Sequence, residues 1–269
     1  MIFKKQEKLI ISLAKKKYRD KTKLFIAEGQ KLTADLLIAG IKPYLIIATK
    51  EWHPENNLYI DIEPVIVSEN IIKKLSLLKT PQKIIAIFHQ PEQIFEKKTQ
   101  DSLLLGLDGV QDPGNFGTIL RIADWFGINC LICSYDTVDV YNPKVIQSSM
   151  GSIARVKVHY VNLERFCTDY SSSGNTIFGT FIKGENIYTA NLENKGLIII
   201  GNEGNGIRPE IEKIVTRKLT IPSFSTSGTS AESLNVSVAT AIICSEFKRK
   251  KAVNHNRSAI PEGLEPPTF

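Results

Sequence analysis

What most limits the fold of this chain is a set of short runs that are apolar at nearly every position. SLLLGLDGV (102–110), CLICS (130–134) and GLIIIG (196–201) have almost no polar face to offer solvent. All three read as strands, and CLICS is a near-continuous apolar run of the sort found in buried parallel strands. TILRIADWFG (118–127) reads as a helix between two of them, and RVKVHYV (155–161), TIFGTFI (176–182) and KLTIP (218–222) read as further strands. A last helix is expected from Ser233 to about Lys250. The second part of the chain is therefore an α/β unit built on a parallel sheet.

The first part repeats the alternation on a smaller scale. Leu9, Ile10, Leu13 and Ala14 at helical spacing predict an amphipathic helix over 5–17. LFIAEG (24–29), YLIIAT (44–49), EPVIVS (63–68) and KIIAIF (83–88) predict strands, with helices at KLTADLLIAG (31–40) and ENIIKKLSLL (69–78). HQPEQIFEKKTQD (89–101) is polar and lacks an apolar pattern. The expected division is a domain at 1–90, a linker at 91–101, a second domain at 102–252 and a mobile tail at 253–269, where NHNRSAIPEGLEPPTF is rich in proline and polar residues.

With 42% hydrophobic and 23% charged residues, general disorder is excluded. Four scattered cysteines make no disulfide framework, no run approaches the ~18 apolar residues of a membrane span, and the opening MIFKKQEKLIISLAKKKYRD is too polar and basic for a secretory signal. A soluble protein in a reducing cytoplasm, with no membrane partner, is expected. The net charge of +6 is concentrated near the start, where nine Lys/Arg residues between Lys4 and Lys23 face only Glu7 and Asp20. Lys15, Lys16, Lys17 and Arg19 are the densest part. The run is either a phosphate-binding surface or a solvated helix face.

Three segments depart from what packing alone would choose. In Asp108–Gly117 (DGVQDPGNFG), three glycines, a proline and several polar side chains fill the turn between strand and helix. Such a turn brings bare backbone and helix amides to the carboxyl edge of a sheet, where open α/β sheets bind ligands. Asn115 there is a functional group or a plain helix cap, and Arg121 lies six residues on in an otherwise apolar helix. The second segment, Gly201–Ile207 (GNEGNGI), follows another apolar strand. It lacks both the glycine order of a dinucleotide fingerprint and the Lys-Ser/Thr ending of a P-loop, which argues against a nucleotide-dependent oxidoreductase. The third runs from Ile221-Pro222 through a Ser/Thr/Gly loop to AESLNVSVATAI (231–242), where Ser233 either caps the helix or serves a site.

DPGNFGTILRIAD, IIIGNEGNGI and IPSFSTSGTSAESLNVSVATAI, in that order and spacing, resemble the three signature motifs of the SpoU/TrmH family of RNA ribose 2'-O-methyltransferases in the SPOUT superfamily. LFIAEGQKL and KTPQKIIAIF resemble the substrate-binding domain that often precedes that catalytic domain and is related to ribosomal proteins that bind RNA kinks. The resemblance implies a C-terminal α/β domain with a parallel sheet and a trefoil knot, preceded by a small α/β RNA-binding domain. It implies S-adenosylmethionine as cofactor, held at Thr180, Gly201, Gly206, Ile221 and Leu234, and a homodimer with the site near the subunit interface. Catalytic positions carry over to Asn115, Arg121, Glu203, Ser233 and Asn235. The loop SFSTSGTSA between Pro222 and Glu232 is longer than the family's usual spacing.

Methyl transfer needs the ribose 2'-oxygen in line with the methyl group and a way to handle its proton. No histidine lies in the three motifs. The resemblance gives Arg121 the central position. A guanidinium gives up its proton too reluctantly to be a good base, so its expected role is a cation that holds the neighbouring phosphate and stabilises the developing alkoxide. Asn115 would hydrogen-bond ribose or phosphate, and Glu203, Ser233 and Asn235 would hold Arg121 and the pocket in place. Cys130 and Cys133 sit three apart in a strand, face opposite sides, and suggest no metal site. The resemblance favours large-subunit ribosomal RNA as substrate over transfer RNA, because transfer-RNA members of that family often lack this N-terminal domain or carry different extensions. A non-catalytic RNA-binding or ribosome-assembly factor is the alternative from another class.

Overall fold

In the computed structural model of the chain the described residues are 3–53, 62–92, 102–225 and 232–255, with side chains of the last helix described to Arg249. Most of the expected linker (91–101), most of the expected tail (253–269) and part of the Ser/Thr/Gly loop lie outside them.

The first unit runs α1 (Lys4–Ser12), α2 (Lys16–Thr22), β1 (Leu24–Glu28), α3 (Gln30–Ile38), β2 (Pro43–Ala48), β3 (Val65–Ile66), α4 (Glu69–Leu75) and β4 (Ile84–His89). Its sheet has the order β1-β4-β2-β3, with β4 antiparallel to both neighbours and β3 parallel to β2. The single amphipathic helix expected over 5–17 is two helices. α1 caps at Leu13, and α2 ends at Lys23 in the left-handed region, with φ 55°. The strand expected at 63–68 pairs over only two residues at the sheet edge.

The second unit runs β5 (Leu103–Leu107), α5 (Pro113–Trp125), β6 (Cys130–Ser134), α6 (Pro143–Ser149), β7 (Lys157–Val161), α7 (Leu163–Ser172), β8 (Ile177–Asn186), β9 (Gly196–Ile200), α8 (Pro209–Glu212), β10 (Arg217–Thr220) and α9 (Val236–His255). Its six strands have the order β10-β8-β9-β5-β6-β7, and every ladder is parallel. Alternate residues of one strand enter opposite cores. Leu103, Leu105 and Leu107 join Phe116, Ile119, Phe178 and Phe247, whereas Leu104 joins Ile132, Tyr170 and Ile199. Cys130 and Cys133 part in the same way, one into each core. All four cysteines are buried free thiols, and burial pushes Cys130, Cys167 and Cys244 up to about 12.

α5 starts at Pro113, five residues before the expected start, because the Asp112 side chain accepts from the Asn115 amide and proline fits the first helical position. α9 starts at Val236 because Asn235, not Ser233, caps it: Asn235 Oδ1 accepts from the amides of Ser237 (2.9 Å) and Val238 (3.4 Å).

The two units share a core. Phe25, Leu36, Ile46, Ile84 and Phe88 of the first pack with Ile146 of α6, and Tyr141, Ile153 and Ala154 of the second unit lie against the same cluster. Among the described residues no helix is long and apolar enough to cross a membrane.

Candidate functional site

Parallel strands place their carboxyl ends on one edge of the sheet. The order β10-β8-β9-β5 therefore sets side by side Ile221 after β10, Thr180 where β8 leaves its β9 partner, Gly201 after β9, and Asp108-Gly109 after β5. Three of the four stretches that meet there are the unusual segments of the sequence.

Hydrogen bonds join them. Glu203 accepts from the backbone amides of Gln111 (3.3 Å) and Asp112 (3.2 Å) and from Asn115 Nδ2 (3.1 Å). Asn235 Nδ2 donates to Asn115 Oδ1 at 3.0 Å, so the Asn115 amide is used at both ends, 88 residues from one partner and 120 from the other. Asn235 Oδ1 also accepts from the Ser237 hydroxyl at 2.6 Å. A carboxylate that accepts at the start of α5 suits the positive end of that helix.

The glycine bend is self-braced. Asn202 Oδ1 accepts from the amides of Gly204 (2.9 Å) and Asn205 (3.0 Å), and its Nδ2 donates to the Gly109 carbonyl (2.7 Å). Asn202 and Gly206 pair as an isolated bridge, with Gly206 at φ 70°. A Cβ at Gly201 would overlap the backbone of Gly206 and Ile207. Only glycine lets the bend close on itself. Thr180 Oγ1 donates to the Ile199 carbonyl at 3.1 Å, Ile221 is half-buried against the larger core, and Leu234 is exposed.

Arg121 lies on the exposed side of α5 and has no hydrogen bond or ion pair with a described residue. The expectation that Glu203, Ser233 and Asn235 hold it is corrected: Glu203 and Asn235 hold Asn115 instead, and Ser233 is exposed with no hydrogen bond to a described residue. Arg121 is thus an exposed guanidinium on the helix that carries Asn115, unpaired among the described residues.

Two residues of this edge were missed by sequence reasoning. Asp108 is buried at the end of β5 and is satisfied by Arg208, whose backbone amide donates at 2.8 Å and whose Nε donates at 2.7 Å. The pairing holds the Arg208 guanidinium above its usual range, through that hydrogen bond against the cost of burial. An aspartate closing an apolar strand signals that a partner must exist, but nothing local names a residue 100 positions later. Asn202 is the other, readable only as one more polar residue in a glycine-rich turn.

In the first unit, Lys15, Lys16 and Lys17 are exposed at the start of α2. Arg19 is not. It is 2% exposed, and its Nη2 lies 2.7 Å from Oδ2 of Asp139. Its place among the phosphate-contacting residues is therefore corrected, because a buried, paired guanidinium has no face for RNA.

Residues 102–245 match the model of the SpoU rRNA Methylase family, and residues 4–86 match that of the MRM3-like substrate binding domain. The 23S rRNA (guanosine(2553)-2'-O)-methyltransferase RlmP of Bacillus subtilis (strain 168) is 32% identical over 230 residues, which is 85% of this chain and 90% of that one. A solved structure from Porphyromonas gingivalis, assigned to the TrmH family of RNA methyltransferases, has 38% identity and a TM-score of 0.82 over 93% of this chain and 99% of that one. An AdoMet-bound rRNA methyltransferase from Sinorhizobium meliloti has 26% identity and a TM-score of 0.77 over 93% and 96%.

Proposed function

The chain belongs to the SpoU rRNA methylase family, and from that premise we propose that it transfers a methyl group from S-adenosylmethionine to a ribose 2'-hydroxyl of 23S ribosomal RNA. The observation that carries this reading is the Asn115 side chain, clasped by Glu203 and Asn235, which draws three distant bends into one site at the carboxyl edge of a parallel sheet.

The cofactor fits the residues present. The bend Gly201–Gly206 and the strand end at Thr180 offer backbone groups, and Ile221 and Leu234 offer aliphatic surface, to an adenosine and its amino-acid tail. When bound there, S-adenosylmethionine supplies a methyl on a sulfonium, a group reactive enough to need no metal. Asn115 orients the ribose or its phosphate, its own amide held still by two partners. Arg121 binds the adjacent phosphate and offsets the negative charge that grows on the 2'-oxygen. It does so as a permanent cation, so the proton leaves to water or to the RNA itself and not to Arg121. Lys15, Lys16 and Lys17 hold the RNA backbone from the first unit.

The same proposal includes a trefoil knot around the cofactor edge, a cytoplasmic location and a homodimer. The dimer is supported by α5, where Trp125 is 79% exposed one helical turn beyond Arg121. Light scattering of the full chain tests it: a dimer that Trp125→Glu splits is expected, and a monomeric wild type would overturn it. For the activity, ribose methylation is mapped across ribosomal RNA in cells with and without the gene. One 2'-O-methyl in 23S rRNA should vanish with the gene. Unchanged maps, together with no calorimetric binding of S-adenosylmethionine, would overturn the reading.

A further inference from the structure

We infer that Arg19 is a positioning residue: through Asp139 it fixes how the RNA-holding helix α2 stands relative to the methyl-transfer site. The inference rests on the function proposed above. Arg19 Nε and Nη2 both donate to Oδ2 of Asp139, at 2.9 and 2.7 Å, across 120 residues of sequence and across the two units. Its Nη1 donates to the carbonyls of Leu13 (2.8 Å) and Ala14 (2.9 Å), which close α1. One guanidinium thus joins the end of α1, the body of α2 and a loop of the catalytic unit. The exposed Lys15, Lys16 and Lys17 sit in the link between those helices and in the first turn of α2.

The loop that receives Arg19 is itself held. Asp139 Oδ1 accepts from the Tyr141 amide at 3.0 Å, and the Tyr141 ring packs on Phe25 with centroids 5.1 Å apart. From below, the Tyr160 hydroxyl on β7 donates to the Val138 carbonyl (2.6 Å) and accepts from the Val140 amide (2.8 Å). The chain then enters α6, whose Ile146 completes the core of the first unit. α6 lies so close to α5 that a Cβ at Gly117 would overlap Ser148. α5 carries both Asn115 and Arg121. Contacts therefore link the helix that carries the lysines, through Asp139, Tyr141 and α6, to the helix that carries Asn115 and Arg121.

A buried ion pair adds little net stability compared with apolar packing, but it rejects every docking in which either charge is left alone. Its use here is registry. RNA held at α2 arrives at Arg121 at a set distance, and an error of about 1 Å in such placement can cost ~100-fold in rate.

The test compares full-length wild type with Arg19→Met, Asp139→Asn and the apolar pair Arg19→Met/Asp139→Leu. Arg19→Lys, which keeps the charge and loses the fork, stands in if Arg19→Met does not fold. Readouts are the Kd for S-adenosylmethionine by calorimetry, the Kd, KM and kcat with 23S rRNA transcripts, and the distance between spin labels on cysteines placed at exposed Lys73 and Lys195. Each single variant should broaden the distance distribution and lower kcat at saturating RNA by ~10–100-fold. Cofactor affinity should stay within about twofold of wild type, since no residue of the Gly201–Gly206 bend touches Arg19 or Asp139, and any loss of RNA affinity should be smaller than the loss of kcat. The apolar pair should restore a narrow distance and most of kcat. A loss of kcat with an unchanged distance, a broadened distance with normal kcat, or a parallel loss of cofactor binding would each overturn the inference. A wild type that transfers no methyl to 23S rRNA, while the distances respond as described, would overturn the proposed function and leave the docking role standing.

Discussion

The two sheets are both buried on two faces, yet they are covered differently. The catalytic sheet is covered by its own unit, with Phe116, Ile119 and Phe247 from α5 and α9 on one face and Leu163, Cys167 and Tyr170 from α7 on the other. The N-terminal sheet is covered by α1 and α4 on one face, but on the other α3 is supplemented by Ile146, Tyr141, Ile153 and Ala154 of the catalytic unit. The smaller unit therefore borrows part of its core, and its position is set by the same contacts that stabilise it. A pair of units that share a core behaves as one body, which suits an enzyme that must grip RNA in one place and modify it in another.

The largest expected effect is on separation. Residues 102–255 expressed alone should melt cooperatively and bind S-adenosylmethionine, whereas residues 1–92 alone expose an apolar sheet face and should aggregate or lack a sharp transition in circular dichroism. A sharply melting 1–92 fragment would break the comparison. Next, Ile146→Ala opens a cavity in the shared core and should cost about 2–5 kcal/mol by denaturant unfolding. Ile66→Ala, at a half-exposed edge position, should cost no more than about 0.5 kcal/mol. Gly201→Ala acts on the catalytic unit alone: the strain of separating two backbone segments, about 1–3 kcal/mol, should weaken cofactor binding in calorimetry by ~10-fold or more.

The smallest effect is a pH dependence confined to the catalytic unit. Burial, and then Lys157, hold the His159 imidazole below its ordinary 6.5. The unfolded chain takes up that proton first, so stability falls as pH drops through about 6.5 and is regained above it. His159→Gln should flatten that part of a melting-temperature profile, and an unchanged profile would show that burial there is unimportant.

These differences also show what a sequence can and cannot announce. Runs such as CLICS and GLIII are readable because burial on both faces removes nearly every polar position, and both are strands. The three bends were readable because glycine, proline and asparagine crowd where packing has no use for them. α6 was not, since PKVIQSS has only two strongly apolar residues and owes its helix to the Asn142 cap, Pro143 and its packing on α5. Arg19 was misread for a related reason. A basic run looks the same whether each charge meets water or an aspartate 120 residues later, and only the fold tells them apart. The clasp of Asn115 by Glu203 and Asn235, in place of a hold on Arg121, is likewise a matter of three-dimensional distance.

The central claim of the proposed function is that the exposed Arg121 guanidinium on α5 completes a methyl-transfer site built around the clasped Asn115. It is tested most directly by the rate of methyl transfer from labelled S-adenosylmethionine to 23S rRNA by Arg121→Lys, measured beside its affinities for cofactor and RNA. The account expects both affinities to remain near wild type while kcat falls by ~100-fold, because an ammonium cannot reproduce the planar fork at phosphate and alkoxide. Near-normal kcat in that variant would contradict it.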